Sequence, residues 1–159
     1  MGEGSAFFQC LEKCRSVPVM KIYFAGSIRG GRDYARTYFD LITHIQTQAE
    51  VLTEHICGAD LSTHGEENLT DPEIYERDMN WLNACDAVIA EVSAPSLGVG
   101  YELGQAEAAG KPILCLFDES GNTRLSAMLS GNPSMKIVRY SDLDEAKVAI
   151  DKFIADQSA

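Results

Sequence analysis

Apolar and polar positions along this chain fall into two alternating kinds of run. Short, nearly continuous apolar segments occur at Met20–Ala25, Ala87–Glu91, Lys111–Phe117 and Lys136–Tyr140, with Glu50–Glu54 as a more polar β-prone member. Each predicts a strand, and the most continuous predict strands covered on both faces. Between them lie segments with helical spacing. Tyr34–Gln48 sets Tyr38, Leu41, Ile42 and Ile45 on one face, and Asp71-Pro72 opens a helix whose stripe is Ile74, Trp81, Leu82 and Cys85. Asp is a favoured N-cap and Pro a favoured first helical residue. Val99, Leu103, Ala106 and Gly110 mark a third helix, Thr123–Ser130 a short fourth, and Asp142–Ala155 a closing one. His55–Thr70 is a polar loop, long enough to suggest a role of its own. Strands and helices alternate five times, which predicts an α/β fold: a five-stranded parallel sheet with helices on both faces.

Such sheets bind ligands outside the carboxyl ends of their strands, where strand order reverses. The loops expected there are Gly26–Arg32 and Ser93–Gly98. The first is rich in glycine and carries Arg29 and Arg32, but it has neither a dinucleotide fingerprint nor a P-loop lysine. Ser27 and the arginines suit a phosphate, and a solvated surface turn explains the same composition equally well. The second loop turns through Pro95, Ser96 and Gly98 into a helix, whose free N–H groups would favour an anion. Glu102 follows within about the first turn. There the dipole would favour the ionised form that a nucleophile or base needs, although an acid at that place also serves as an ordinary dipole partner. Asp78 falls inside the apolar stripe of its helix. An inward acid must be paired, with Arg29 or Arg77 for example, or serve the chemistry of a cleft.

Composition narrows the classes. The 159 residues suit one domain, and 45% hydrophobic with 23% charged residues is ordinary for a globular protein. A net charge of -11 argues against a nucleic-acid polymer or an anionic membrane as partner, while leaving room for a small phosphate ligand. No run has the length of a membrane helix, and the first eighteen residues lack the pattern of a signal peptide. Met1-Gly2 is a myristoylation-like start, but position 6 is Ala rather than Ser or Thr. Five cysteines, with no CxxC pair, predict reduced thiols, three of them in apolar runs, and a cytosolic type of compartment. The three histidines have no metal-ligand spacing with them, so neither a metal nor a cofactor is expected. Residues 1–18 are expected to be a flexible extension with a short helix near Phe7–Cys14, and residues 19–156 a single catalytic domain.

The ordered set Tyr23-Phe24-Ala25-Gly26-Ser27-Ile28-Arg29-Gly30-Gly31, Leu52-Thr53-Glu54-His55, Asp78, Pro95-Ser96-Leu97-Gly98-Val99-Gly100-Tyr101-Glu102-Leu103-Gly104 and Leu125-Ser126-Ala127-Met128 resembles the 2'-deoxynucleoside 5'-monophosphate N-glycosidases, relatives of the nucleoside 2-deoxyribosyltransferases. The resemblance runs from about Lys21 to Phe153. It implies a flavodoxin-like homodimer that cleaves a deoxynucleotide to free base and 2-deoxyribose 5-phosphate. It implies Glu102 as the nucleophile, Asp78 as an acid assisting sugar and leaving base, and Tyr23 beside the sugar. It implies Ser27, Arg29, Ser96 and Gly98 at the phosphate, with Gly26, Ile28, Gly30, His55 and Met128 among the substrate-binding positions. Ser126 would reach the phosphate in the neighbouring subunit's site. A cytoplasmic protein is expected, with the nucleus as a second compartment. A transferase and a non-catalytic nucleotide sensor are the alternatives. The sequence leaves the base open among purines, pyrimidines and modified bases such as 5-hydroxymethyluracil.

Overall fold

The computed structural model describes residues 19–28, 34–53, 69–121 and 123–158. In chain order these form β1 (Lys21–Ala25), α1 (Ala35–Ile45), β2 (Glu50–Val51), α2 (Asp71–Ala84), β3 (Ala87–Glu91), α3 (Leu97–Ala108), β4 (Ile113–Asp118), α4 (Ala127–Ser130), β5 (Lys136–Tyr140) and α5 (Leu143–Gln157). The strands make one parallel sheet in the order β2-β1-β3-β4-β5, the flavodoxin-like arrangement, which reverses direction of travel between β1 and β3.

Alternation along β1 divides the interior. Ile22 and Phe24 pack with Leu41, Ile45, Ile150 and Phe153 under α1 and α5. Tyr23 and Ala25 point the other way, among Leu82, Val99, Leu103 and Cys115 under α2 and α3. Each large apolar side chain so buried contributes ~1.5–3 kcal/mol. A one-residue slip of β1 would exchange the two sets, so burial fixes the face on which Tyr23 stands.

Local signals set the helix ends, and two differ from expectation: Thr70 rather than Asp71 is the N-cap of α2, with Asp71 and Pro72 already helical, and Gly110 lies beyond the end of α3. Thr70 and Glu73 form a capping box at α2, with the Thr70 N–H donating to Glu73 Oε2 at 2.8 Å. Asp142 caps α5 by accepting from Asp144 N–H at 2.7 Å. Beyond α3, Gly110 takes the left-handed conformation, φ +67°, that favours glycine.

Three further expectations change. The second strand has two residues rather than five, and Glu54 lies outside the described residues. In place of further strand pairing, the buried Thr53 hydroxyl donates to Phe24 O at 2.7 Å and accepts from Phe24 N–H at 2.9 Å. The α2 stripe is only partly core: Leu82 and Cys85 are buried, whereas Ile74 and Trp81 are half-buried. The N-terminal half of α2 borders a cleft instead of packing on the sheet. The fourth helix is four residues long, because Ser126 has extended ψ and caps it from outside, accepting from Met128 N–H at 3.3 Å.

The extension over residues 1–18, with its short helix, lies outside the described residues, as do Cys10, Cys14 and Cys57. Cys85 and Cys115 are buried free thiols. Burial raises both, Cys115 to about 12. Among the described residues no helix is long and apolar enough to cross a membrane.

Candidate active site

At the carboxyl ends of β1 and β3 a cleft of about 620 Å³ opens between the loop after β1, the start of α3 and the flank of α2. That volume suits a nucleotide-sized ligand. Gly26, Ser27 and Ile28 line it from one side, Ser96 and Gly98 from another, and Asp78 and Glu102 from the two helices. The two loops predicted to meet therefore do meet, with both carboxylates between them.

One end of the cleft gathers two serines and the head of α3. Ser96 caps α3 through a long contact, 3.4 Å, from Val99 N–H to its Oγ. The N–H groups of Leu97 and Gly98, at the head of the helix, have no partner among the described residues. Opposite them, Ser27 is buried and donates its own N–H to the Tyr38 hydroxyl at 3.1 Å. Gly26 makes this approach feasible: a Cβ there would fall 3.0 Å from Tyr38 Cε2.

The other end holds the acids. Glu102 is the sixth residue of α3, which carries no acid in its first turn. The expectation that the helix dipole holds Glu102 ionised is thus corrected, because the dipole acts within the first turn. Burial dominates instead and raises its carboxyl to about 7; the hydrogen bond from Tyr23 works against this and the charge of Asp78 adds to it. Tyr23, buried on β1, donates its hydroxyl to Glu102 Oε1 at 2.8 Å. Burial first, then the charge of Glu102, pushes the Tyr23 phenol far above its usual value, so it stays a donor.

Asp78 is paired and also faces the cleft. The Arg77 guanidinium places Nε 2.9 Å and Nη2 2.8 Å from the same oxygen, Oδ1. Its carbon lies 4.7 Å from the centre of the Trp81 ring. Oδ2 accepts no hydrogen bond from the described residues. The arginine partner named from the sequence is thus present, and it orients an acid that lines the cleft. Among the described residues no three His, Cys, Asp or Glu side chains converge as metal ligands would.

Of the other expected site residues, Arg29, Gly30 and His55 lie outside the described residues. Ser126 and Met128 do not line this cleft; both are exposed, Met128 at 81%. Sequence reading assigned Tyr38 and Trp81 to apolar stripes and missed their polar and cation contacts. Neither contact has a sequence signal, since each depends on the partner that the fold delivers. Tyr75 and Tyr101, also at the cleft, bring their hydroxyls to 3.3 Å, and Leu97 beside them is 96% exposed.

Residues 22–153 match the sequence profile of a family described as nucleoside 2-deoxyribosyltransferase. A protein of Tetraodon nigroviridis named 5-hydroxymethyl-dUMP N-hydrolase is 46% identical over 141 residues, covering 87% of this chain and 99% of that protein. A Rattus norvegicus protein of the same name is 51% identical over 128 residues, covering 80% and 78% respectively. Among solved structures, the solution structure of BlsM is similar with a TM-score of 0.68 and 25% identity, covering 87% of this chain and 91% of that one.

Proposed function

The chain belongs to the nucleoside 2-deoxyribosyltransferase family, and we propose that it hydrolyses the N-glycosidic bond of 2'-deoxynucleoside 5'-monophosphates. The products are free base and 2-deoxyribose 5-phosphate. The observation that carries this reading is the pairing of an anion-binding end, at Ser27 and the head of α3, with a buried carboxylate held by Tyr23 in the same cleft. The names borne by relatives at 46% and 51% identity support it, and they make 5-hydroxymethyl-dUMP the first nucleotide to test.

The phosphate binds at Ser27, Ser96 and the Leu97 and Gly98 N–H groups, with Arg29 reaching it from the loop after β1. Binding there, remote from C1', positions the sugar over Glu102. Glu102 attacks C1' as the bond to the base nitrogen breaks, and the base departs with a proton delivered through Asp78. Water then attacks C1', Asp78 takes a proton from it, and the bond to Glu102 is released. Positive charge on the sugar is greatest in the transition states, where two carboxylates stabilise it most. Tyr23 fixes Glu102 beneath the sugar and occupies the space that a 2'-hydroxyl would need. Residues 19–156 act as one catalytic unit.

Each active site is completed in a homodimer by Ser126 of the neighbouring subunit. The exposure of Ser126 and Met128, away from their own cleft, supports this arrangement, as do Leu97, Tyr75 and Tyr101 exposed at its mouth. The buried free thiols suit a reducing compartment, the cytoplasm or the nucleus.

Product analysis tests the reading. The chain is incubated with 5-hydroxymethyl-dUMP, dGMP, GMP and deoxyguanosine, beside Glu102→Ala. Free base from a deoxynucleotide, and none with the variant, is expected. Base release from deoxyguanosine only when a second base is added would favour the transferase. Binding without cleavage of any substrate would favour a sensor.

A further inference from the structure

We propose that Glu91, outside the cleft, is a positioning residue for its phosphate end, which it holds from below through Ser93. The inference rests on the phosphate assignment made above and adds a residue that no part of that assignment uses.

Glu91 ends β3 and is fully buried. An acid there is costly unless its oxygens are bonded. Ser93 donates its N–H to Oε2 at 3.3 Å and its hydroxyl to Oε1 in a short contact, and Tyr140 donates to Oε1 at 3.1 Å. Ser93 Oγ in turn accepts from Asp118 N–H at 2.7 Å. Asp118 and Tyr140 end β4 and β5, so the first turn of chain beyond β3 is tied to the ends of three strands.

The groups facing Glu91 are otherwise neutral or acidic. They are Ser93 on its own loop, Asp118 on β4, Tyr140 on β5 and Tyr38 on α1. Among the described residues no Lys, Arg or His pairs with it. Burial therefore raises its carboxyl to about 7. An apolar residue of similar size would serve the core at least as well. What the acid adds is a fixed direction for Ser93, three residues before Ser96. The same carboxyl acts electrostatically on Tyr38, whose hydroxyl receives the Ser27 N–H. Donors aimed at an anion lose affinity when displaced by about half an ångström.

The test compares wild type, Glu91→Gln, Ser93→Ala and the double variant. Gln keeps the shape of Glu91, but with its oxygen toward Ser93 Oγ and Tyr140 it sets an NH2 donor against the Ser93 N–H. Calorimetric affinity for 2-deoxyribose 5-phosphate is measured alongside steady-state kinetics on a cleavable deoxynucleotide, with circular dichroism and melting temperature as controls for folding. Each single change is expected to weaken phosphate-ligand affinity about three- to ten-fold, the equivalent of one hydrogen bond. KM should rise while kcat changes much less, and the double variant should lose no more than the weaker-binding single one. Ser93→Ala carries the test if Glu91→Gln does not fold. Unchanged affinity with a lowered melting temperature, or additive losses, would overturn the proposal. Wild type that binds 2-deoxyribose 5-phosphate but cleaves nothing would end the hydrolase reading and leave the affinity comparison decisive here. Wild type that binds no phosphate ligand would overturn both.

Discussion

The Tyr23 hydroxyl donates a 2.8 Å hydrogen bond to Glu102 Oε1 across 79 residues of sequence. It joins β1 to α3 at the floor of the cleft and opposes the burial that raises the Glu102 carboxyl to about 7. Tyr23→Phe removes that opposition. The acidic limb of the pH–rate profile should move upward by about one unit, with about a tenfold loss of kcat/KM near pH 6 and a smaller loss near pH 9. Rates from pH 5 to 9 check this. An unmoved limb would mean that the profile reports another group. The same variant, with Tyr23→Ala, should narrow the preference for deoxy- over ribonucleotides; an unchanged preference would remove Tyr23 from that role.

Arg77 holds one oxygen of Asp78 while stacked on Trp81. Arg77→Ala frees the carboxylate to rotate, so kcat should fall about tenfold with a lesser change in KM. Arg77→Lys should not restore it, because an ammonium can neither fork nor stack in this way. Full activity in Arg77→Lys would show that only the charge matters.

Gly26→Ala drives a methyl group against the Tyr38 ring, 3.0 Å away, which holds the Ser27 N–H. Overpacking of this kind costs about 1–3 kcal/mol. A lower melting temperature and a raised KM for the nucleotide are expected together. A change in stability alone would detach Tyr38 from the phosphate end.

Glu102 keeps its proton in the folded chain up to about pH 7, whereas the unfolded chain releases it near its ordinary value of 4.5. Between those values the folded state binds more protons, so stability falls as pH rises and the loss is complete above pH 7. Glu102→Gln carries no charge to bury. It should match wild type near pH 4.5 and exceed it by about 1–3 kcal/mol at pH 8. Denaturant titrations at the two pH values read this, and a constant difference would contradict it.

Much of the architecture was legible because it rests on local pattern. Continuous apolar runs marked β1, β3, β4 and β5, Asp142 marked the start of α5, and alternation alone implied the parallel sheet. The meeting of Ser27 with Ser96 and Glu102 followed from topology, since loops at a reversal of strand order converge. What escaped was set by contacts distant in sequence. The ionisation of Glu102 depends on burial against Tyr23, not on its own helix. Ser126 looked helical because its neighbours do, yet its hydroxyl competes for the helix end. Glu91 read as the last residue of an apolar strand, and nothing nearby announces Ser93 and Tyr140 as its partners.

The central claim is that Glu102 forms a bond to the sugar. Wild type is mixed with a deoxynucleotide that it cleaves, quenched in acid during turnover, digested, and analysed by mass spectrometry. A single deoxyribose phosphate on the peptide carrying Glu102, absent from unreacted protein, is the predicted result. Rapid release of base with Glu102 unmodified at every quench time, and with full activity in Glu102→Ala, would contradict it.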